Sequence, residues 1–209
     1  MNELYNNLTA YGRCCPTKLM MYDPRDFIQW TEENFSYVKY NPRKDIARYG
    51  LSITSLDGGL SGNPDLDSLP EYNRENNTKL TERDFVTPTP VYEYPDLKAI
   101  LDPIKTHICR SHVLRIDPGG YFPPHRDFRS DVFDSFRLLI PLENMNPPRH
   151  SFVLEDKIVH WEEGAMYFVD TARMHYLFNA SFEPSYMIVI NAILNKITVD
   201  YVISNLRYM

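Results

Sequence analysis

The chain has 209 residues, 43% hydrophobic and 13% aromatic, which suits one domain with a substantial core and excludes a disordered chain. A formal charge of −6 argues against non-specific binding to nucleic acid or anionic membranes. The opening stretch, MNELYNNLTAYGRCCPTK, has no apolar core of signal-peptide length, and no run approaches a membrane span. Cys14, Cys15 and Cys109 are an odd set without Cys-x-x-Cys spacing. They suggest idle or buried thiols in a reducing cytoplasm, not a disulfide framework or a zinc site.

In chain order, residues 24–35 are expected to form a short helix, with Pro24 at its start and Phe27, Ile28 and Trp30 as its apolar residues. Residues 51–56 alternate and are β-branched enough for a strand, which the Asp57-Gly58-Gly59 turn ends. Residues 60–96 are rich in Asn, Pro, Asp and Glu and lack periodicity. So long an irregular segment reads as a lid or a disordered excursion. Residues 97–108 look helical in two pieces broken at Pro103. From Ser111 the texture changes to short strands: SHVLRI, FRLLIPL, a hairpin of SFVLE and KIVHW around Asp156, then AMYFV, HYLFN and SYMIVINAI. The last is apolar enough to be buried on both faces. About eight closely spaced strands are the pattern of a mainly β jelly roll, a cupin-like double-stranded β-helix. The expected organisation is a single domain, with a helical cap and long loop over residues 1–110, the barrel over 111–197 and a helix over 198–209.

The chemistry-bearing residues lie in the barrel. After the Pro118-Gly119-Gly120 turn comes His125-x-Asp127, and His175 opens a later strand. On a strand, residues i and i+2 share a face, so His125 and Asp127 can hold one metal while His175 closes the third position. Two imidazoles and a carboxylate are the ligand set of a facial triad for non-haem Fe(II), which leaves positions open for a co-substrate and O₂. His107, His112, His150 and His160 have no such context and read as surface or core residues, His160 being a spare ligand at most. Arg115 and Tyr121 flank the turn, where they line a substrate mouth or serve as a salt bridge and a packed aromatic.

Between residues 114 and 193 the words RIDPGGYFPPHRD, FRLLIPL, HWEEGAMYFVD and HYLFNASFEP occur in one order and spacing. In these the chain resembles the aspartyl/asparaginyl β-hydroxylase family of Fe(II)- and 2-oxoglutarate-dependent oxygenases. The resemblance implies that His125, Asp127 and His175 are iron ligands and that Arg137 is a co-substrate arginine. It implies hydroxylation of an amino-acid side chain, free or within a peptide. One departure matters. The family's segment after the distal histidine leads into an arginine that clamps the far carboxylate of 2-oxoglutarate, whereas here Glu183-Pro184 leads into Ser185. A buried carboxylate needs a fixed cation, for which guanidinium is the natural partner. Arg137 is the expected replacement and Arg173 the fallback, with Ser185 adding at most a hydroxyl. Two other readings stand beside this one. One is a cupin-like metal protein that does not use 2-oxoglutarate, and the other is a non-catalytic barrel that binds a partner.

Overall fold

The computed structural model describes residues 2–127 and 134–207. Its strands are β1 (Cys14–Met20), β2 (Val38–Lys39), β3 (Arg48–Ser52), β4 (Thr54–Ser55), β5 (Thr87–Pro88), β6 (Ile108–Ile116), β7 (Tyr121–His125), β8 (Ser135–Glu143), β9 (His150–Leu154), β10 (Lys157–Ile158), β11 (Ala165–Val169), β12 (His175–Asn179) and β13 (Ser185–Ile193). The α-helices are α1 (Glu3–Thr9), α2 (Pro24–Asn34), α3 (Leu69–Asn76), α4 (Pro95–Leu101) and α5 (Lys196–Ser204).

Two antiparallel sheets face each other. The larger has seven strands in the order β1-β11-β8-β13-β6-β3-β2, and the smaller has four in the order β10-β9-β12-β7. The larger sheet is covered on both sides. Phe136, Leu138, Ile140, Ile188 and Ile190 pack outward against Tyr5, Phe27, Leu97 and Val199 of the helices. Leu114, Ile116, Leu139 and Met187 pack inward against Phe152, Leu154 and Leu177 of the smaller sheet. That double burial explains why β8 and β13 read as nearly unbroken apolar runs. The smaller sheet has one wet face, so β12 alternates: His175, Leu177 and Asn179 are buried, Tyr176 and Phe178 exposed. This is the mainly β jelly roll expected from the sequence.

The organisation differs from the sequence reading in its first half. Residues 1–110 are more than a helical cap, because β1, β2 and β3 are strands of the larger sheet. The strand expected over 51–56 instead begins at Arg48 and stops at Ser52, before the short β4. The stretch from 60 to 96 is folded, holding α3, two short 3-10 turns and β5. Its polar composition misled because its polar groups are paired. The Arg43 guanidinium meets Asp67 at 2.8 Å, and Arg110 donates to the Asp65 carbonyl at 2.6 Å. Leu66, Phe85, Val91 and Tyr92 of this stretch are fully buried. The terminal helix starts at Lys196, where Asn195 caps it by accepting from the Thr198 N–H, and ends at Ser204. The helix expected near residue 24 is present. Asp23 caps it, and Pro24 occupies its first turn, where no N–H is needed. The break expected at Pro103 marks the passage from α4 into a 3-10 turn, Asp102–His107.

Candidate metal centre

The site grows from the turn before β7. Gly119 has φ +77°, and the Gly120 N–H donates to the Asp117 carbonyl at 2.8 Å, closing a tight turn. A β-carbon on Gly120 would stand 2.4 Å from the Ala47 carbonyl oxygen, so this close approach requires glycine. The turn sends β7 back along β12, with Phe122 opposite Leu177 and His125 opposite His175. Three residues on β7 therefore oppose two on β12. This bulge lets Phe122 and His125 face the same interior despite their odd spacing. His125 is the last residue of β7, so Asp127 lies beyond the strand. The shared face expected from the i, i+2 spacing is instead supplied by other contacts. The Asp127 N–H donates to the Thr171 carbonyl at 3.1 Å, and Arg137 Nε donates to Asp127 Oδ2 at 3.0 Å.

Three side chains converge as a result. One ligand atom from each of His125, Asp127 and His175 lies within 4.8 Å of the others. The Nε2 atoms of His125 and His175 stand 3.5 and 3.8 Å from Asp127 Oδ1. Each ring is aimed from behind. His125 Nδ1 donates to the Pro123 carbonyl at 2.7 Å and His175 Nδ1 to the Arg173 carbonyl at 3.0 Å. A carbonyl can only accept, so Nδ1 carries the proton and each Nε2 keeps its lone pair for a metal. An ion bonded at about 2.1 Å sets neighbouring ligands roughly 3 Å apart, so each imidazole has to close on the carboxylate by about half an ångström or more to share one ion.

The electrostatics suit the same role. Burial works against an ionised Asp127, but the Arg137 guanidinium and the two imidazoles outweigh it and hold the carboxyl well below its ordinary range. Burial works to lower Arg137 as well, and Asp127 more than offsets it. Burial also favours neutral imidazole. It keeps His175 below its usual value, whereas at His125 the Asp127 carboxylate outweighs burial and raises it.

The triad sits at a cavity of about 550 Å³, counting its open mouth, between the two sheets. Arg137, His112, Thr171, Tyr40 and Phe122 are among its walls. His112 Nδ1 and Thr171 Oγ1 are buried without a hydrogen-bond partner, so the walls offer unspent polar groups to an occupant. None of residues 60–96 is among the lining residues, so the lid expected there is not seated on the mouth.

The remaining sequence-derived candidates lie elsewhere. Leu114 and Ile116 point inward, so Arg115 points out, paired with Asp117 at 2.7 Å and Glu32 at 3.4 Å. Tyr121 is exposed on the outer face of the smaller sheet, opposite Phe178. Arg173, partly exposed, contacts the buried Asp170 at 3.5 Å and Glu155 at 3.7 Å, and of its groups only its carbonyl meets the triad. Ser185 is buried, donates to the Asn144 carbonyl at 2.9 Å and lies 3.1 Å from His150 Nδ1. His160 is exposed and not among the converging groups. The thiols are free: Cys15 and Cys109 are buried and Cys14 is partly buried, with burial pushing Cys14 and Cys109 up to about 12. The sequence reading missed His112, Thr171, Tyr40 and Phe122 as site residues. The one signal for His112 was its alternation with the apolar Leu114 and Ile116.

The protein is a jelly roll of the cupin type, with two imidazoles and a carboxylate at the mouth of its barrel that could hold a metal ion. The chain belongs to the aspartyl/asparaginyl beta-hydroxylase family, whose sequence profile matches residues 70–193, more than half of its length. The family supports a hydroxylase or oxygenase. Among solved structures, an oxidoreductase of the 2OG-Fe(II) oxygenase family from Burkholderia pseudomallei is similar at 13% identity, over 80% of this chain and 76% of that one, with a TM-score of 0.44. A predicted oxalate decarboxylase from Thermotoga maritima is similar at 15% identity, over 45% of this chain and 74% of that one, with a TM-score of 0.34. A search of curated proteins finds no match. Among the described residues, no helix is long and apolar enough to cross a membrane.

Proposed function

We propose that the protein is an Fe(II)- and 2-oxoglutarate-dependent dioxygenase that hydroxylates an amino-acid side chain, free or within a peptide. The observation that carries this reading is the convergence of His125, Asp127 and His175 at one end of a cavity that also holds Arg137. Three protein ligands leave the other positions of a six-coordinate ion to a co-substrate and O₂. When bound, iron and 2-oxoglutarate supply the oxidising power for C–H hydroxylation, with succinate and CO₂ as co-products.

The chain's own part is orientation. The Pro123 and Arg173 carbonyls fix the tautomer of both imidazoles. Arg137 engages Oδ2 of Asp127 and leaves Oδ1 turned toward the imidazoles, so the carboxylate offers one oxygen to the metal. A guanidinium bound to a metal ligand is close to the metal end of the co-substrate. Arg137 therefore serves the keto-acid end, and the far-carboxylate role expected for it is not the one its contacts favour. Phe152, Leu139 and Leu177 keep the cavity walls apolar, which limits water around the reacting centre. An acidic surface leaves nucleic acid a poor substrate. Three free thiols accord with a reducing cytoplasm.

A second reading, a cupin-like metal protein without 2-oxoglutarate, is favoured by Ser185, which offers no charge where the family places an arginine. The test is succinate release from 2-oxoglutarate with Fe(II) and a panel of amino acids and short peptides. The expected result is succinate formed with a product one oxygen heavier, both lost in His175→Ala. Metal binding without any succinate would support the second reading.

A further inference from the structure

The far carboxylate of a bound dicarboxylate still lacks a cation, and one buried arginine still lacks an anion. Arg48 on β3 is 4% exposed, and its Nε is buried without a hydrogen-bond partner. Among the described residues no carboxylate pairs with it. Its contacts are with rings: its Cζ lies 4.1 Å from the centre of Phe122 and 5.5 Å from that of Tyr40. Both rings line the metal cavity, and Arg48, not itself one of the lining residues, lies directly behind them. Such faces offset part of the cost of burying a cation but do not replace an anion. Burial lowers its affinity for its proton with no carboxylate to offset the effect, whereas Asp127 more than offsets burial at Arg137.

Its place in the sheet relates it to the missing family arginine. Ile116 of β6 is paired with Ser185 on one side and with Arg48 on the other. Directly opposed residues of adjacent strands point to one face, so Ser185, Ile116 and Arg48 form one row across three strands. That face is the barrel interior, because Ile116 packs with Leu114, Met187 and Phe152. Arg48 and Ser185 are thus about 10 Å apart, two strand spacings, at the same level of the barrel. Phe122 joins Arg48 to the metal site, since the Phe122 ring also stacks on that of His125 with centres 6.0 Å apart. The Ser185 end of the row carries no charge. Its neighbour His150 is pushed down to about 4 by burial and stays neutral at pH 7.

We propose that Arg48 receives the far carboxylate of the co-substrate, replacing from β3 the arginine that position 185 lacks. This rests on the reading of 2-oxoglutarate as co-substrate and supplies the specificity residue that reading needs. A keto acid with a charged tail meets the guanidinium, and one without it gains nothing there.

The test is calorimetric binding to the Zn(II)-loaded full chain, which needs no turnover. The probes are 2-oxoglutarate and pyruvate, which shares its keto-acid end but has no second carboxylate. In Arg48→Met, 2-oxoglutarate affinity is expected to fall at least about thirty-fold, the loss typical when a buried charge pair loses one member. Pyruvate affinity is expected to stay within about twofold. Because the guanidinium is unpaired without ligand, Arg48→Met is expected to melt no lower than wild type but to lose the stabilisation that 2-oxoglutarate gives wild type. Should Arg48→Met fail to fold, Arg48→Lys, which keeps the charge but loses the fork, is expected to fall between the two in 2-oxoglutarate affinity. Unchanged 2-oxoglutarate affinity in a folded variant, or an equal loss for both keto acids, would overturn the proposal. A wild-type protein that binds Zn(II) but not 2-oxoglutarate would instead overturn the co-substrate reading.

Discussion

At the scale of single residues, the three converging side chains are legible in the sequence and their supports are not. His125 and Asp127 announced themselves by spacing and His175 by opening a strand. Arg137 was recognised as a pocket residue, but its bond to Asp127 is a contact between β8 and the end of β7, and no local pattern encodes it. Arg48 was invisible because a buried, unpaired guanidinium looks in sequence like any surface arginine before an aromatic. His150 was read as a surface or core residue and is the latter, completely buried. Burial pushes it down to about 4, so the folded state holds it neutral while the unfolded chain binds a proton near 6.5. Between these values the unfolded state binds more protons, so stability is full above about pH 6.5 and falls as pH drops toward 4. The full difference is on the order of 3 kcal/mol. Urea unfolding at pH 7 and pH 4.5 is expected to show this loss, with His150→Gln showing a shallower one. His112, also held low by burial, keeps some slope in the variant. An unchanged slope in His150→Gln would remove His150 from the account.

At the scale of elements, strands whose environment repeats regularly were the readable ones. β8 and β13 are covered on both faces and are apolar throughout, while β12 has one wet face and alternates. β1 is not legible as a strand and β3 is read three residues late, because they join the sheet at and near its edges, where Pro16, Lys18 and Arg48 break the apolar pattern. The bulge between β7 and β12 was equally hidden, since it depends on the register of two strands about fifty residues apart. That register starts at Gly120, packed against the Ala47 carbonyl oxygen. Gly120→Ala is expected to force the turn away from Ala47, costing roughly 1–3 kcal/mol in chemical denaturation. Since β7 carries His125, Zn(II) affinity is expected to fall as well. A folded Gly120→Ala protein with wild-type metal affinity would separate the turn from the site.

At the scale of the whole molecule, the architecture divides labour between two cores. The outer one joins helices to the larger sheet and holds most of the large apolar side chains. The inner one, between the sheets, gives up part of its volume to a cavity with a cluster of charge at its mouth. Such a site concentrates polar groups that have no use in packing: the triad, Arg137, and the unpartnered atoms of His112 and Thr171. On the proposed function, these groups would hold iron and a keto diacid. Anaerobic titration of the Fe(II)-loaded protein with 2-oxoglutarate, followed by visible absorption, tests it most directly. A weak charge-transfer band that grows and saturates as the keto acid chelates the metal is expected. Iron that stays bound while no band develops would contradict it.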